Sequence, residues 1–439
     1  MSHFLLADGF KNTPWWWEAA EPAQRPAELP DHAAAAIIGG GYAGLSAALT
    51  LARLGHKPVV LDAERIGWGA SSRNGGMVSG GLKLASADLS KVHGAERAAA
   101  IARDAAASFP FLEELIARES IACDYIRCGR FAAAWTPAHF RAQAGKAASI
   151  EKATGLPASM LPRERQREAL GSDHYHGGML AAATGSLHPG KLARGLANAA
   201  AAAGATLIDG TRVEGIARNG SGHVVKTSRG ALRADAVLVT TNGYSLDGKG
   251  RSAMPWLARR LIPVGSYIIA TEALPTDTID RLFPGRRMIS DTKRVLNYFR
   301  PSPDGTRVIW GGRASFGPTT PENAAPVLHG FMTDVFPELK GVRITHSWTG
   351  NVAFTFDFLP HLGTQDGIHY AAGCQGSGVA MASWLGHRAG LRIACADNEP
   401  FALADLPFPT APAYGGRPWF LPLVGAWYRL RDRMDRMAA

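Results

Sequence analysis

The chain has 439 residues, of which 46% are hydrophobic and 19% charged, with fifty glycines. That length and balance describe a globular protein of two domains or one large elaborated one, and exclude a disordered, collagen-like or disulfide-stapled chain. The formal net charge is +10, but the basic residues are scattered except near the C-terminus, which argues against nucleic acid as partner, and no apolar run reaches membrane-spanning length.

Residues 1–32 read as a Pro-rich, irregular extension without the charged and apolar regions of a signal peptide. Its Trp15-Trp16-Trp17 cluster is expected to pack across a core edge. Residues 33–62, AAAAIIGGGYAGLSAALTLARLGHKPVVLD, follow. They read as an apolar strand, a Gly39-x-Gly41-x-x-Gly44 turn, a helix, a second strand and an acid at its end. Gly39 permits the tight turn, Gly41 lets backbone approach a pyrophosphate, and Gly44 lets the helix pack close to the sheet. The helix start then offers free N–H groups and a positive dipole end to an anion. Asp62 lies close to the spacing of about 20 residues at which a carboxylate meets a ribose hydroxyl. An ordinary strand–helix–strand unit leaves the three glycines unexplained, so dinucleotide binding is the stronger reading.

Residues 90–170 read as helices and 184–203 as a loop feeding a helix. A hairpin leading into the strand VLVTT ends at Asn242-Gly243-Tyr244. Residues 260–313 alternate in β fashion. A second Gly-rich unit, strand GIHYAAG, then Gly376-Ser377-Gly378, then a helix, lies within 348–390. The nucleotide-binding pieces thus fall at the front, middle and back of the chain. The expected organisation is a discontinuous binding domain over 33–85, 184–246 and 345–400. A second domain takes 86–183 and 247–344, and 401–439 form a tail.

Four cysteines, Cys123, Cys128, Cys374 and Cys395, show neither CxxC nor metal spacing and read as free thiols of a reducing cytosol. His174 and His176 are one residue apart, with Asp173 the single further ligand beside them, so no metal site is expected.

The run IIGGGYAGLSAALTLARLGHKPVVLDAERIGWGASSRNGG resembles the N-terminal signature of FAD-dependent amine oxidoreductases of the D-amino-acid-oxidase/glycine-oxidase superfamily. The nearest branch is the gamma-glutamylputrescine oxidoreductase-like one. GSLHP at 185–189, TTNGY at 240–244, RRLIPVGSYIIATE at 259–272, RVLNYFR at 294–300 and GGR at 311–313 fit it too. So do the Trp348–Gly363 motif, YAAG-x-x-G-x-G from Tyr370 to Gly378, and GGRPWFLP at 415–422. The resemblance implies an α/β fold: a Rossmann-like FAD domain plus a substrate domain on a large antiparallel sheet. It implies FAD contacts at Gly39, Gly41, Tyr42, Ala43, Gly44, Asp62 and Ala63. Further contacts are expected at Gly69, Ala70, Ser71, Arg73, Asn74 and Gly75, at Val213 and Thr241, and at Gly373, Gly376, Ser377, Gly378 and Val379. The branch often carries Gly-His-Gly where this chain has Gly376-Ser377-Gly378. Some relatives attach FAD through a His or Cys near the Gly-Ala-Ser segment. Gly69–Asn74 holds neither, so FAD is expected to be non-covalent, with Cys374 the one remaining anchor candidate.

The implied activity is oxidation of a C–N bond by hydride transfer to flavin N5, giving an imine that hydrolyses, with O2 as expected electron acceptor. A gamma-glutamyl-capped amine is the leading substrate. A secondary amino acid such as sarcosine or iminodiacetate stays open, as does a membrane-associated amine dehydrogenase passing electrons to quinone. The substrate nitrogen must be deprotonated, which an aromatic, desolvating cage favours. Tyr267, Tyr298, Phe299 and Phe354 are the candidate walls. Arg260, Lys293, Arg300 and Arg313 are the candidate partners of a substrate carboxylate, with Arg73 a donor near the flavin. His188 and His361 are either structural or near the flavin. The tail carries eight apolar residues between Trp419 and Leu430 beside four arginines. It reads as an interrupted helix whose apolar side docks on the FAD domain, with peripheral membrane contact as the other reading.

Overall fold

A computed structural model describes residues 5–82 and 86–438. The first four residues of the extension, the 83–85 end of the first binding segment and Ala439 of the tail lie outside it. Two large sheets organise the chain. In the first, five strands run parallel in the order Ile368–Ala372, Gly230–Val239, His32–Ile38, Pro58–Leu61 and Thr206–Ile208. Val213–Asn219 and Gly222–Thr227 extend it as an antiparallel hairpin on the start of Gly230–Val239. His32–Ile38 and Pro58–Leu61 are short apolar runs because both faces are covered. Helices Tyr42–Arg53, Pro189–Ala202 and Gly378–Ile393 bury one face through Leu45, Leu196 and Leu385. Met254, Leu257 and Phe408 cover the other.

The second sheet has nine strands: Leu6–Lys11, Ile344–Phe354, Ile262–Thr271, Val308–Gly312, Asn297–Pro301, Met288–Asp291, Arg130–Ala133, Gly178–Ala181 and Ala158–Leu161. It is mostly antiparallel, with parallel pairings where Leu6–Lys11 meets Ile344–Phe354 and where Arg130–Ala133 meets Met288–Asp291. Four of its members depart from the sequence reading. Arg130–Ala133 and Ala158–Leu161 lie inside the stretch expected to be helical. Leu6–Lys11 lies in the extension expected to be irregular. Ile344–Phe354 belongs almost wholly to a segment assigned to the FAD domain, yet it pairs with Ile262–Thr271 over its full length. These short strands gain their stability from cross-strand neighbours, which local propensity does not report.

Side chains of the second sheet alternate between two environments, as pleating demands. One face carries Tyr267, Ile269, Phe299 and Trp310 into a core with helix Pro321–Val335, through Leu328 and Met332. The other carries Ile268, Ile309, Trp348 and Tyr298 towards the first domain, where Trp16 packs among them.

The tail is a continuous helix, Leu421–Met437. Pro422 falls in its first turn, where a missing N–H costs nothing. It docks on the second sheet's end rather than on the FAD domain. The Asp432 carboxylate accepts from the Arg294 N–H at 3.0 Å and the Val295 N–H at 2.9 Å, and the Trp135 indole donates to the Asp432 carbonyl.

Candidate active site

The strands that end at Ile38, Val239 and Ala372 are neighbours and parallel, so the loops after them emerge side by side at one edge. This is the crevice beyond the carboxyl ends of an α/β sheet where ligands bind. The first loop is Gly39–Gly41. Gly44 is required by closeness: a Cβ there would stand 1.9 Å from the Gly39 carbonyl oxygen. The helix begins at Tyr42 with no capping by its own Gly41. The Tyr42 N–H is taken by the Ser71 hydroxyl at 2.9 Å, which ties this loop to the 67–76 segment. Ala43 lies under the second Gly-rich helix, where Gly386 lets the two helices touch: its Cβ would stand 2.0 Å from the Ala43 carbonyl oxygen.

Asp62 holds the cradle in place from the end of the second strand. Its carboxylate accepts from the Gly40 N–H at 2.7 Å and the Glu64 N–H at 2.9 Å. Burial pushes its carboxyl up to about 6 against these two bonds. Ala63 follows directly. The Thr211 N–H donates to the Asp62 carbonyl at 2.7 Å, which carries Val213, two residues on, alongside.

The second loop is fixed by Thr240, whose hydroxyl donates to the Ile38 and Gly39 carbonyls, and by Thr241, bonded to Ser245. Asn242 joins it to the third loop: its side-chain oxygen accepts from the Gly373 N–H at 3.0 Å and its amide donates to Cys374 Sγ. In the third loop Gln375 adopts a φ of +53° and its amide donates to Thr355, Leu359 and Gly373. Gly376 and Ser377 then lead into the helix at Gly378, again without a side-chain cap, and Val379 is buried in the core beneath.

The 67–76 segment lies between the two domains. Gly69 precedes the single turn Ala70–Arg73. Tryptophans brace it from outside: Trp16 donates to the Asn74 carbonyl at 2.9 Å, Trp348 to the Arg73 carbonyl at 2.8 Å, and Trp17 to the Ser72 hydroxyl at 3.0 Å. Arg73, expected as a donor near the flavin, is occupied otherwise. It donates to the Trp68 and Thr349 carbonyls and lies against the Trp17 and Trp68 rings, 4.6 and 4.1 Å from their centroids. Asn74 is likewise turned onto its own segment, accepting from Gly76 N–H and donating to Ala70 and Ser71. The extension is therefore part of the site's frame. Three consecutive tryptophans in a Pro-rich stretch were the one signal in the sequence.

The sheet face across from this segment sorts the candidate side chains. Tyr298 lies over Gly75 and Gly311, whose missing Cβ atoms leave room for its ring, and shares a hydrogen bond with Ser266 at 2.9 Å. Phe354 shares this face, since both it and Trp348 lie an even number of residues apart on one strand. Tyr267 and Phe299 do not: they are one residue out of register and sit in the opposite core, Phe299 stacked on Trp310 at 3.9 Å. A one-residue offset moves a side chain to the other side of the sheet.

The four cations separate in the same way. Arg300 is buried and spends its guanidinium on the Gly76, Leu187 and Pro301 carbonyls at 2.8–3.0 Å, so it is a brace rather than a ligand for substrate. Burial lowers its pKa to about 10. Arg260 is bonded to the Phe408 and Trp256 carbonyls. Lys293 is paired with Asp291 at 3.2 Å near the tail helix. Arg313 alone is left. Its guanidinium stands 5.1 Å from the Phe354 ring and 5.5 Å from Phe316, and among the described residues neither a hydrogen bond nor an ion pair engages it. Burial lowers its pKa without discharging it.

Of the two histidines, His188 is buried between Trp15 and Trp16 and accepts from the Lys191 N–H, and burial lowers its pKa to about 4. His361 stacks on Phe408 and is bonded to Asp357. A hollow of about 740 Å³ runs along helix Pro189–Ala202 from Lys191 to Ala203, bordered by Arg53 and Glu119. Among the described residues no group of His, Cys, Asp or Glu is arranged to hold a metal.

Two helix starts without a side-chain cap from their own N-cap residue, two glycine turns flanking a third turn at adjacent strand ends, and a half-buried acid beside the first turn fit the pyrophosphate and ribose of a dinucleotide. The fold and this cradle define a flavoprotein oxidoreductase. The chain belongs to the DAO family of FAD dependent oxidoreductases, whose pattern it matches over residues 34–390. It is 33% identical over 427 residues to a probable oxidoreductase OrdL of Rhizobium meliloti (strain 1021), covering 95% of this chain and 97% of that one. It is 33% identical over 406 residues to the gamma-glutamylputrescine oxidoreductase of Escherichia coli (strain K12), covering 91% and 92%. The crystal structure of glycine oxidase from Geobacillus kaustophilus superposes with a TM-score of 0.69 at 22% identity, over 87% of this chain and 99% of that one.

Proposed function

We propose that this enzyme oxidises a C–N bond of a carboxylate-bearing amine, with a gamma-glutamyl-capped amine as leading substrate. FAD, when bound, supplies the hydride acceptor; the protein binds, orients and desolvates. The observation that carries the reading is Arg313, an unpaired guanidinium between two aromatic rings on the sheet face that meets the 67–76 segment. It suits a substrate carboxylate, while Tyr298 and Phe354 offer apolar surface that favours the deprotonated nitrogen. The resemblance to a gamma-glutamylputrescine oxidoreductase supports a gamma-glutamyl carboxylate in that place.

The remaining parts of the proposal are non-covalent FAD and reoxidation by O2 to H2O2. Acid precipitation should leave all flavin in the supernatant; a yellow pellet contradicts this. Flavin bleaching and peroxide release are to be followed with gamma-glutamylputrescine, sarcosine and iminodiacetate in parallel. Turnover of the first, with its KM raised roughly tenfold or more on Arg313→Met, agrees with the proposal. Bleaching by an amine without any carboxylate, unchanged in Arg313→Met, refutes it.

A further inference from the structure

The tail helix is turned the opposite way from the sequence expectation. Its inward face is Gly425, Tyr428 edge-on to the Phe316 ring, Asp432 and Arg436. Gly425 fits against the Phe316 ring, where a Cβ would stand 2.3 Å away. Asp432 takes two backbone N–H groups, and Arg436 donates to the Trp135 carbonyl at 2.9 Å. These bonds fix the rotation of the helix about its axis. Leu423, Trp427, Leu430, Met434 and Met437, spaced alternately four and three residues apart, therefore form one outward stripe. All five are exposed, as is Trp419 just before the helix, 70% exposed. The stripe is about 21 Å long at 1.5 Å per residue. A row of large apolar side chains in water calls for a partner.

The charges beside the stripe select that partner. Arg429 and Arg433 are exposed and Arg431 is half-buried. Both acids of the helix are engaged on the protein side, Asp432 as above and Asp435 with Arg294 at 2.5 Å. The outward face is thus apolar and cationic, with no free carboxylate on the helix. A second copy of the chain would set these arginines against their equals, since complementary flanking charges are what pair helices. An anionic lipid surface satisfies both features: side chains such as Trp427 and Leu430 enter the headgroup boundary while arginines meet phosphates. We infer that the outward face of helix Leu421–Met437 is a peripheral docking surface for anionic phospholipid bilayers. No helix among the described residues is long and apolar enough to cross a membrane, so the contact would lie in the plane of the interface.

The test uses the full-length, flavin-loaded enzyme with vesicles of phosphatidylcholine alone or mixed with phosphatidylglycerol, at low salt. Sedimentation with the mixed vesicles only, weakening as salt is raised, is expected. Trp427→Glu with Leu430→Glu should abolish it, and Arg431→Gln with Arg433→Gln should weaken it roughly tenfold or more. Melting temperature and flavin content, measured on each variant, should stay unchanged because these side chains point outward. Should the glutamate pair alter melting, the arginine pair decides. Enzyme that stays in the supernatant with mixed vesicles overturns the inference. So does binding indifferent to both variant pairs, or concentration-dependent dimerisation that Trp427→Glu abolishes.

Discussion

The loop cluster and the sheet face opposite it meet at the 67–76 segment but are built on different principles. The loop cluster presents backbone. Its working parts are helix starts without caps of their own, glycine turns and one half-buried acid, and side chains such as Ser71, Asn242 and Gln375 hold that backbone in place. The sheet face presents side chains, and two arginines on it differ in what they touch. Arg300 is consumed by three carbonyls, whereas Arg313 has rings around it and, among the described residues, no acceptor. Backbone sites tolerate almost no change at a glycine. Side-chain sites divide sharply between braces, whose loss costs stability, and ligands, whose loss costs binding.

The most severe break falls in the cradle. Gly44→Val drives a side chain into the Gly39 carbonyl, 1.9 Å from where a Cβ would stand. Purified protein should be colourless, with unfolding free energy lowered by about 3 kcal/mol. Wild-type flavin absorbance in that variant would show that this turn does not hold the cofactor.

The two arginines give the next contrast. Arg300→Met removes the guanidinium from the Leu187 carbonyl and leaves the Gly76 carbonyl with the Leu187 N–H alone, and should destabilise by about 3 kcal/mol in denaturant titration, the upper scale for bonds to a charged group. Arg313→Met should leave stability and flavin content near wild type and raise the substrate dissociation constant roughly tenfold or more, the worth of a partly desolvated charged bond. Equal stability losses in both would erase the distinction between brace and ligand.

The smallest effect is a pH dependence. Asp62, whose carboxyl burial raises to about 6, would accept a ribose hydroxyl of FAD best in its ionised form. FAD affinity should therefore be full above about pH 6 and fall as pH drops through it, about tenfold per unit where protonation dominates. Asp62→Asn should weaken binding by roughly 1.5–3 kcal/mol and flatten the profile, as followed by flavin fluorescence. A wild-type profile flat between pH 7 and about pH 5 would remove Asp62 from the binding equilibrium.

Residues close in sequence made the cradle legible. Gly39, Gly41, Gly44 and Asp62 lie within one strand–helix–strand unit, and turn, dipole and spacing are local properties. The family, the α/β class and the second Gly-rich helix followed from such segments. What tertiary structure alone decided depended on partners distant in the chain. Register put Tyr298 on the inner face and Tyr267 on the outer, because pleating has a period of two and no local signal sets its phase. Competition for carbonyls made Arg300 a brace and left Arg313 free, though both are arginines near the ends of neighbouring strands. The Trp16 and Trp17 contacts needed residues more than fifty positions away. The tail's composition announced an amphipathic helix, but its facing was set by two backbone N–H groups at residues 294 and 295 and a ring at Phe316. Polar bonds and a glycine contact fixed the rotation, and the apolar stripe was left in solvent.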